Sequence, residues 1–373
     1  MKILLISPTN NIQNGRGNIT HELCMFLKGK VDFTLLLPSD EKRYGYTSYP
    51  VEYILPPHIF SARSPKIFKF IFFRYTTDAD IIHSLFEFPH ALIGALIAGQ
   101  NKKPFIVGTQ GTYAIKTLFE FPDGIFLKWI YNRADIITAP STFTADNVKK
   151  YSKTSTPIKI IHNAVNFERF SKNCDYKDIQ NKYLGKKILM TVGGLKPRKG
   201  QDIVLKALSI LKKKRSDFHY LMVGPNEERS KYVESLHNII KSGNLEHNVT
   251  MTDAIDGIEL VRNFHASDIY IHTPTMLNWN FEGFGIVYLE ASACTKPIIA
   301  SDSGGIRDAV IENETGLIVP ENDILATAEA IEKLLDNNAL CEKLGIAGYE
   351  YAKKHRWEII GNVFIKIYKD LLR

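Results

Sequence analysis

The sequence predicts an α/β protein with two domains, each built around a doubly wound parallel sheet. At 373 residues the chain is longer than one hydrophobic core usually serves. Short apolar runs alternate with amphipathic stretches along almost all of it, and many of the runs are near-continuous Val, Ile and Leu. Continuous apolar runs are typical of parallel strands buried on both faces, and strand–helix alternation over this length indicates doubly wound sheets.

The predicted strands fall into two groups, one in each half of the chain. In the first half they are KILLIS, FTLLLP, VEYIL, DIIHS, PFIVGTQ, DIITAPS and IKIIHN. In the second half they are KILMTVGG, HYLMVGP, VTMTDA, IYIHTP, PIIASD and GLIVP. Helices are predicted between the strands, most clearly at Asp202–Lys213, Lys231–Lys241 and Asp323–Leu335.

The charged segment Phe167–Lys187 marks the domain boundary, because a new strand follows it. We therefore expect a first Rossmann-like domain over residues 1–170 and a second over residues 171–356. The last helix, within residues 357–373, lies beyond the second sheet and is expected to pack back on the first domain. Ligands of open α/β sheets bind beyond the carboxyl ends of the strands, so the turns that follow strands are the candidate sites.

The composition predicts a cytoplasmic globular protein. Hydrophobic residues make up 45% of the chain and charged residues 23%, which argues against long disorder. No apolar run approaches the roughly 20 residues that span a bilayer, and the run in MKILLISP is too short for a signal peptide. The cysteines show neither metal-binding nor redox spacing, which predicts free thiols; they are Cys24, Cys174, Cys294 and Cys341.

The net charge of +7 is compatible with nucleic acid, an anionic membrane surface or a phosphorylated ligand as partner. No motif that binds RNA or DNA bases is present, so nucleic acid is not expected. The segment Ser61–Tyr75 carries Arg63, Lys66, Lys69 and Arg74, five aromatic residues and no acid. It has two interpretations: a surface that lies on an anionic membrane, or a core helix with solvated lysines.

The turn after the first strand contains Gly15, Arg16 and Gly17, ahead of a helix predicted to start near Asn18. Backbone amides of such a glycine loop can approach an anion at the helix N-terminus. The glycines do not match the G-x-G-x-x-G fingerprint, which argues against a dinucleotide-dependent dehydrogenase. The alternative is a flexible loop that binds nothing.

The turn TVGGLKPRKGQD, in the second half, combines Gly193 and Gly194 with Lys196, Arg198 and Lys199. Such a cluster is commonly a solvated run of charge. Here it lies where a strand ends and a helix begins, which favours phosphate binding.

The stretch NFEGFGIVYLEAS places Glu282 before a glycine turn, Gly283–Gly285, and Glu290 in the apolar helix that follows. A carboxylate in so apolar a helix is costly unless it faces a polar ligand; the alternative is a solvent-exposed Glu. The turn Ser303–Gly305 adds further backbone amides at a helix start. Several such turns in one half of the chain predict a site for a nucleotide diphosphate.

These motifs resemble those of the retaining glycosyltransferases of family 4, also called group 1, and the resemblance covers nearly the whole chain. It rests on GGLKPRKGQD, VGP, EGFGIVYLEASACTKPIIASDSGGIRDAV, ETGLIV and IIHNAVNFERF. The most specific feature is a pair of Glu residues with seven residues between them, followed by a Gly-Gly turn. The family has the GT-B fold, which implies two Rossmann-like domains facing each other across a cleft, with the C-terminal helix crossing back to the N-terminal domain.

The resemblance implies roles for individual residues. Glu282 matches an acid near the transferred carbon of the donor sugar, Lys199 a lysine that neutralises the diphosphate, and Glu290 an acid that accepts hydrogen bonds from the ribose. The implied catalytic residues are Glu282, Lys199 and Gln110. The implied donor-binding residues are Gly15, Arg16, Gly17, Gly193, Gly194, Arg198, Lys199, Gly283, Phe284, Gly285, Ile286 and Glu290.

Two positions depart from the family pattern. Family members often have an arginine where this chain has Gly194, so Arg198 or Lys196 is expected to supply the missing charge. A histidine that contacts the donor sugar is often found where this chain has Gln110, in GTQGTY. Glutamine donates and accepts hydrogen bonds but does not titrate, which argues against a mechanism that needs a histidine base there.

The histidines of the chain are interpreted as structural rather than catalytic. His83 ends a predicted strand, and His21 and His162 are similar cases. His272 ends the strand before the Glu282 turn and is the alternative candidate for a place in the cleft.

The reaction implied is transfer of a hexosyl unit from a UDP- or GDP-linked sugar to a hydroxyl acceptor, with retention at the anomeric carbon. No cofactor is expected, and no D-x-D-type metal site is evident. The expected acceptor is a lipid-linked or surface-polysaccharide glycan, as in lipopolysaccharide or capsule assembly, which implies a cytoplasmic enzyme peripheral to the inner face of the membrane. The alternatives are a non-catalytic GT-B subunit and an epimerase or phosphorylase of the same fold.

Overall fold

The computed structural model describes residues 1–41, 48–225 and 230–373, which form two compact units. The first unit consists of Met1–Ala164, Asn278–Gly283 and Trp357–Arg373. The second consists of Val165–Leu277 and Phe284–Arg356. The first unit thus takes in the C-terminal helix. It also takes in a six-residue segment from the second half of the chain, and this segment was not predicted from the sequence.

A seven-stranded parallel sheet forms the centre of the first unit. Its strands are β1 (Lys2–Ile6), β2 (Asp32–Pro38), β3 (Val51–Leu55), β4 (Ile81–Ser84), β5 (Phe105–Gly108), β6 (Ile136–Ala139) and β7 (Ile158–Ile160). Their order in the sheet is β3-β2-β1-β4-β5-β6-β7, and Ile6 pairs with Leu36 on one side and Ser84 on the other. The order reverses between β1 and β4, so the turns after these two strands flank the crevice in which doubly wound sheets bind ligands.

Helices cover both faces of this sheet. They are α1 (Gly15–Leu27), α2 (Ile67–Ile71), α3 (His90–Asn101), α4 (Thr112–Lys116), α5 (Asp123–Arg133), α6 (Thr142–Ser152) and the C-terminal helix, Trp357–Leu371. A short 3₁₀ turn at Thr117–Phe119 follows α4. Leu4 and Ile6 of β1 belong to one apolar cluster, whereas Ile3 and Leu5 belong to another. Both faces of β1 are therefore buried, as its apolar run predicts.

The C-terminal helix packs on α1 and on the end of β4. A Cβ on Gly361 would lie 2.3 Å from the ring of Phe26, so only glycine allows this approach of the two helices. The hydroxyl of Tyr368 lies 2.7 Å from Nδ1 of His83, and both side chains are buried. Burial lowers the pKa of His83 to about 3, so this histidine is a neutral structural group.

A six-stranded parallel sheet forms the centre of the second unit. Its strands are β8 (Lys187–Val192), β9 (Phe218–Val223), β10 (Val249–Thr252), β11 (Ile269–His272), β12 (Ile298–Ser301) and β13 (Gly316–Val319), in the order β10-β9-β8-β11-β12-β13. Here the order reverses between β8 and β11. The turns that follow these strands contain the Gly193–Lys199 cluster and the chain leading to Glu282.

The helices of the second unit are α7 (Phe167–Ser171), α8 (Lys177–Lys182), α9 (Gln201–Leu211), α10 (Lys231–Ser242), α11 (Gly257–Ala266), α12 (Ile286–Ala293), α13 (Ile324–Leu335) and α14 (Asn338–Lys354). Side-chain caps start several of them: Ser230 accepts from the amide of Val233, and Asp323 from that of Ala326. Two units with parallel sheets and flanking helices confirm the α/β prediction. None of the helices among the described residues is long and apolar enough to cross a bilayer.

Candidate active site

The predicted glycine loop after β1 is the first turn of α1. The helix begins at Gly15 rather than near Asn18, and Oδ1 of its cap, Asn14, accepts a hydrogen bond of 2.8 Å from the amide of Gly17. A Cβ on Gly17 would lie 2.0 Å from the backbone oxygen of Asn11, whereas one on Gly15 would meet nothing within 4 Å. Gly17 is thus required by close packing at the start of the helix, and Gly15 is not.

Arg16 is held by a buried acid that the sequence analysis did not identify. Its guanidinium lies 2.8 Å from Oε1 of Glu87, whose side chain is fully buried. The same guanidinium lies over the rings of Phe86 and Tyr113, 5.4 and 4.9 Å from their centroids. An ion pair and two cation–π contacts therefore fix the direction of Arg16.

Glu87 also holds the turn after β5. Its Oε2 accepts a hydrogen bond of 3.0 Å from the backbone amide of Gln110. The side-chain oxygen of Gln110 in turn accepts from Nδ2 of Asn163, at 3.3 Å. Burial raises the pKa of Tyr131, and the charge of Glu87 raises it further. Glu87 thus connects two predicted site residues, Arg16 and Gln110.

The segment Asn278–Gly283 is anchored in the first unit by its backbone and its aromatic rings. The hydroxyl of Thr112 donates to the carbonyl of Phe281 and accepts from its amide, both at 3.1 Å. The ring of Phe281 packs edge-on against Phe143, with centroids 5.0 Å apart. Trp279 stacks on Phe119 at 5.4 Å. These contacts hold the chain just before Glu282.

Two glycines that are far apart in the sequence meet at this point. A Cβ on Gly283 would lie 2.9 Å from Cα of Gly111, and one on Gly111 would lie 3.0 Å from Cα of Gly283. Gly111 also has a φ of +94°, which other residues rarely adopt. The contact brings together the backbones that carry Gln110 and Glu282, two of the predicted catalytic residues.

In the second unit, the predicted phosphate turn follows β8 and is tightly constrained. Gly193 has a φ of +142°, and its amide donates a hydrogen bond of 2.8 Å to the carbonyl of Val223. A Cβ on Gly224 would meet the backbone oxygen of Gly193 at 2.4 Å. The turn is therefore packed against the end of β9, with a conformation that needs glycine.

The basic residues of this turn lie beside its glycines. Pro197–Lys199 forms one turn of 3₁₀ helix before α9, and the amide of Lys199 donates 2.8 Å to the carbonyl of Lys196. Cε of Lys199 lies 3.9 Å from the Cβ position of Gly193, and Cε of Lys196 lies 4.0 Å from that of Gly194. Two lysine side chains therefore run along the Gly-Gly turn, including Lys196 where Gly194 departs from the family pattern.

The end of β11 lies against this turn. The amide of Thr275 donates a hydrogen bond of 2.9 Å to the carbonyl of Arg198. The hydroxyl of Thr273 donates a hydrogen bond of 3.1 Å to the carbonyl of Gly200. A Cβ on Gly200 would lie 1.9 Å from the carbonyl oxygen of Thr273. The loops that flank the reversal of strand order are thus joined by direct hydrogen bonds.

The turn before α12 presents backbone rather than side chains. Gly285 has a φ of +87°, and its carbonyl accepts 3.0 Å from the amide of Tyr288. The ring of Phe284 is buried in the apolar core, so any contact of this residue with a donor is through its backbone. Ile286 is the first residue of α12, and Glu290, 9% exposed, lies just over one turn into this helix.

The remaining candidates are engaged in the fold. The hydroxyl of Ser303 bonds to Glu321, and Oε1 of Glu321 also accepts 2.6 Å from the amide of Met276. His272 is buried between the rings of Tyr270 and Tyr288. Within residues 1–41, 48–225 and 230–373, no three His, Cys, Asp or Glu side chains are grouped as ligands of a metal ion would be.

Sequence reasoning missed Glu87, Thr112, Asn163 and Glu321. Glu87 had a signal that could have revealed it: an acid within SLFEFPH, in an apolar run directly after β4. A carboxylate placed there must have buried partners. The others are ordinary polar residues whose importance comes from contacts over long distances in the chain.

Several curated relatives align with most of the chain. An uncharacterized glycosyltransferase of Methanocaldococcus jannaschii is 28% identical over 292 residues, 78% of this chain and 76% of the relative. A GDP-mannose-dependent alpha-(1-6)-phosphatidylinositol monomannoside mannosyltransferase of Mycolicibacterium smegmatis is 26% identical over 345 residues, 89% of this chain and 86% of the relative. The chain is thus similar to glycosyltransferases along most of its length.

The fold has a close match among solved structures. The Anabaena protein HepE, in complex with UDP and glucose, aligns with a TM-score of 0.78 at 18% identity over 99% of both chains. At this level of identity the match shows the fold alone. It confirms the expected GT-B fold.

Family models match each half of the chain separately. The model described as Glycosyltransferase Family 4 matches residues 13–169. The model described as Glycosyl transferases group 1 matches residues 174–351, which include the phosphate turn, the Glu282 turn and α12. Together with the relatives, these matches leave one conclusion: the chain belongs to family 4 of the glycosyltransferases, the group 1 enzymes.

Proposed function

We propose that this glycosyltransferase moves a hexosyl unit from a nucleotide-diphosphate sugar to a hydroxyl acceptor with retention at the anomeric carbon. The observation that carries the proposal is the pair of lysines, Lys196 and Lys199, that runs along the Gly193–Gly194 turn at the reversal of strand order. Cleavage of the donor leaves a diphosphate whose negative charge must be stabilised as the bond breaks. Fixed cations and backbone amides stabilise such charge without reorganising at the moment of reaction.

The other site residues take the roles that fit their places. Lys199, with Lys196 and Arg198, neutralises the diphosphate, and no cofactor or metal ion is required in this proposal. Glu282 and Gln110 contact the sugar, which is supported by the contact between the adjacent glycines Gly283 and Gly111. Glu290 accepts hydrogen bonds from the ribose, which gives a reason for a carboxylate in an otherwise apolar helix.

The nucleoside of the donor is uridine or guanosine in this proposal. The name of the Mycolicibacterium relative specifies GDP-mannose, and the Anabaena structure contains UDP. We propose a lipid-linked or surface-polysaccharide glycan as acceptor, of lipopolysaccharide or capsule type, and an enzyme in the cytoplasm that works at the inner face of the membrane. The phosphatidylinositol-based substrate in that relative's name supports a lipid-linked acceptor.

The donor is identified by thermal unfolding of the full-length protein against a panel of UDP- and GDP-sugars. A ligand that binds only the folded state raises the unfolding temperature, by RT ln(1 + [L]/Kd) in free energy. Hydrolysis or transfer is then measured with the donor that binds, and the anomeric configuration of the product is determined by NMR. Inversion at the anomeric carbon would contradict the proposal.

Lys199→Ala should lower kcat/KM by about 100-fold or more, because one electrostatic contact to developing charge is commonly worth that much. Glu282→Ala should have a similar effect. The matched controls are Lys213→Ala and Glu342→Ala, at exposed residues of the same types in the second unit. These two substitutions should leave turnover unchanged. Near-normal turnover in the Lys199 variant would refute the assigned role.

The non-catalytic subunit is the rival function, since Gly194 and Gln110 depart from the family pattern. It predicts a donor that raises the unfolding temperature but is neither hydrolysed nor transferred with any acceptor. The side chain of Lys196 beside Gly194 favours the enzyme, because it places a positive charge where the pattern lacks the arginine.

A further inference from the structure

The first unit exposes apolar side chains on two stretches of chain. One stretch, which contains α2, exposes Phe60, Phe68 and Phe72, and the other, which contains α5, exposes Phe121, Ile125 and Trp129. Their exposed fractions run from 44% for Trp129 to 93% for Phe60. Single exposed apolar residues are ordinary in soluble proteins, but a group of large ones marks an interaction surface.

Direct hydrogen bonds join the two stretches. Nε of Arg63 donates a hydrogen bond of 2.8 Å to the carbonyl of Phe121. Oδ1 of Asp123 accepts from the hydroxyl of Ser61 at 3.1 Å and from the amide of Ala62 at 2.5 Å. The exposed side chains of Phe60–Arg74 and Phe121–Trp129 therefore form one connected surface, which we call the aromatic–basic face.

The surface is attached to a rigid support. Ile67 and Phe70 of α2 and Leu127 of α5 are buried in the same apolar cluster. Phe68 of α2 and Phe72, the residue after the helix, are exposed and stack on each other with centroids 6.2 Å apart. The inner side of α2 is therefore part of the core, and the outer aromatic side is exposed.

The exposed charges of this surface are all positive. Arg63, Lys66, Lys69, Arg74 and Lys128 are exposed. The one acid within Phe60–Arg74 and Phe121–Trp129 is Asp123, which is buried and bonded to Ser61 and Ala62. A surface of aromatic rings with several cations and no exposed acid is complementary to anionic lipid headgroups.

We propose that the aromatic–basic face docks this enzyme on an anionic phospholipid bilayer, with the aromatic side chains in the headgroup region and the cations against the lipid phosphates. The surface includes the α5 stretch as well as the segment Ser61–Tyr75, whose charges and aromatic residues are evident in the sequence. Helix α5 is tied to α4, which follows Gln110, because the hydroxyl of Tyr131 donates a hydrogen bond of 2.9 Å to the carbonyl of Ala114. Docking would therefore hold this part of the first unit near the membrane. The link to a lipid-linked acceptor rests on the proposed function, but membrane binding itself does not.

The test is sedimentation of the full-length protein with vesicles of phosphatidylcholine alone or of equal parts phosphatidylcholine and phosphatidylglycerol. We expect binding only to the anionic vesicles, and weaker binding at high salt. Phe68→Ser/Phe72→Ser and Ile125→Ser/Trp129→Ser should each reduce binding about tenfold or more. Each charge removed in Lys66→Gln/Lys69→Gln should reduce it about fivefold.

Matched controls come from exposed residues of the second unit. Leu184→Ser/Ile258→Ser and Lys213→Gln/Lys241→Gln should bind like the natural protein. Thermal unfolding confirms that every variant is folded. Lipids brominated near the headgroup should quench the fluorescence of Trp129, and Trp129→Phe should remove that quenching while it retains binding.

The proposal is overturned if the protein does not bind anionic vesicles at low salt, or if the face variants bind as well as the controls. It is also overturned if the face variants break a dimer in solution without affecting vesicle binding, because the surface would then join two copies of the chain. Donor hydrolysis in the absence of lipid should be the same in the face variants and the natural protein. That measurement separates a failure of this proposal from a failure of the proposed reaction.

Discussion

At the scale of single residues, the buried carboxylate of Glu87 fixes two parts of the first unit. One oxygen pairs with Arg16, and the other accepts the amide of Gln110. A buried charge is costly unless it is fully paired, so this arrangement is stable only while both partners remain. Glu87 is therefore a positioning residue: it controls where Arg16 and the Gln110 turn lie.

Glu87→Gln should lower the free energy of unfolding by about 2 kcal/mol, because it removes the charge from a buried partner of Arg16. Urea denaturation measures the change. The matched control is Asp302→Asn, which removes the charge from an exposed pair with Arg307 at 2.7 Å and should cost less than about 1 kcal/mol. Equal losses in the two variants would show that Glu87 is not energetically special.

At the scale of elements, the turns after strands are shaped by backbone contacts between distant segments. The approach of Gly111 to Gly283 connects the turn after β5 with the segment that carries Glu282, and Thr112 fastens the same segment at Phe281. Backbone atoms cannot move aside as the end of a flexible side chain can. A methyl group at this contact must therefore displace one of the two segments.

Gly283→Ala should lower the free energy of unfolding by about 1–3 kcal/mol. Expressed in the same units, its effect on kcat/KM should be larger. Gly111→Ala should cost at least as much, because its φ of +94° adds backbone strain. Gly99→Ala is the control: its Cβ would meet nothing within 4 Å, and alanine in helix α3 should be neutral or stabilising by up to about 1 kcal/mol. Steady-state kinetics combined with urea denaturation separates the two effects. Full activity in Gly283→Ala would refute the importance of this contact.

At the scale of the whole molecule, the C-terminal helix closes one face of the first unit and buries His83 against Tyr368. The folded-state pKa of His83 is about 3, below the ordinary value of 6.5 that the unfolded chain retains. Between these two values the unfolded state binds a proton that the folded state does not. Stability should therefore be unaffected by this group above about pH 6.5 and should fall as the pH drops from 6.5 towards 3.

The double variant His83→Phe/Tyr368→Phe should make this pH dependence shallower by about 1.4 kcal/mol per pH unit between pH 4 and 6, the value for one proton. The second substitution prevents a buried hydroxyl from losing its partner. Urea denaturation at a series of pH values measures the slope. His237→Asn, at an exposed histidine, is the control and should leave the slope unchanged. An unchanged slope in the double variant would show that His83 is not the group responsible.

Strands and their grouping into two sheets could be predicted from the sequence, because continuous apolar runs such as KILLIS and HYLMVGP carry the information locally. The positions of the glycine turns were also predictable, since they directly follow those strands. Contacts such as Glu87 with Arg16, or Gly283 with Gly111, were not, because each joins segments whose separation in the chain gives no local pattern. The start of α1 at Gly15 was missed for a related reason: glycine is usually found outside a helix, and here Asn14 caps the helix before it.

The assignment of Asn278–Gly283 to the first unit has a practical consequence for dissecting the enzyme. The polypeptide passes between the two units four times, after Ala164, Leu277, Gly283 and Arg356. A fragment that spans Val165–Arg356 would therefore leave Trp279 and Phe281 without the rings of Phe119 and Phe143 that cover them. Such a fragment would carry new apolar surface and a Glu282 without its anchor, so donor affinity is a property to measure on the intact polypeptide.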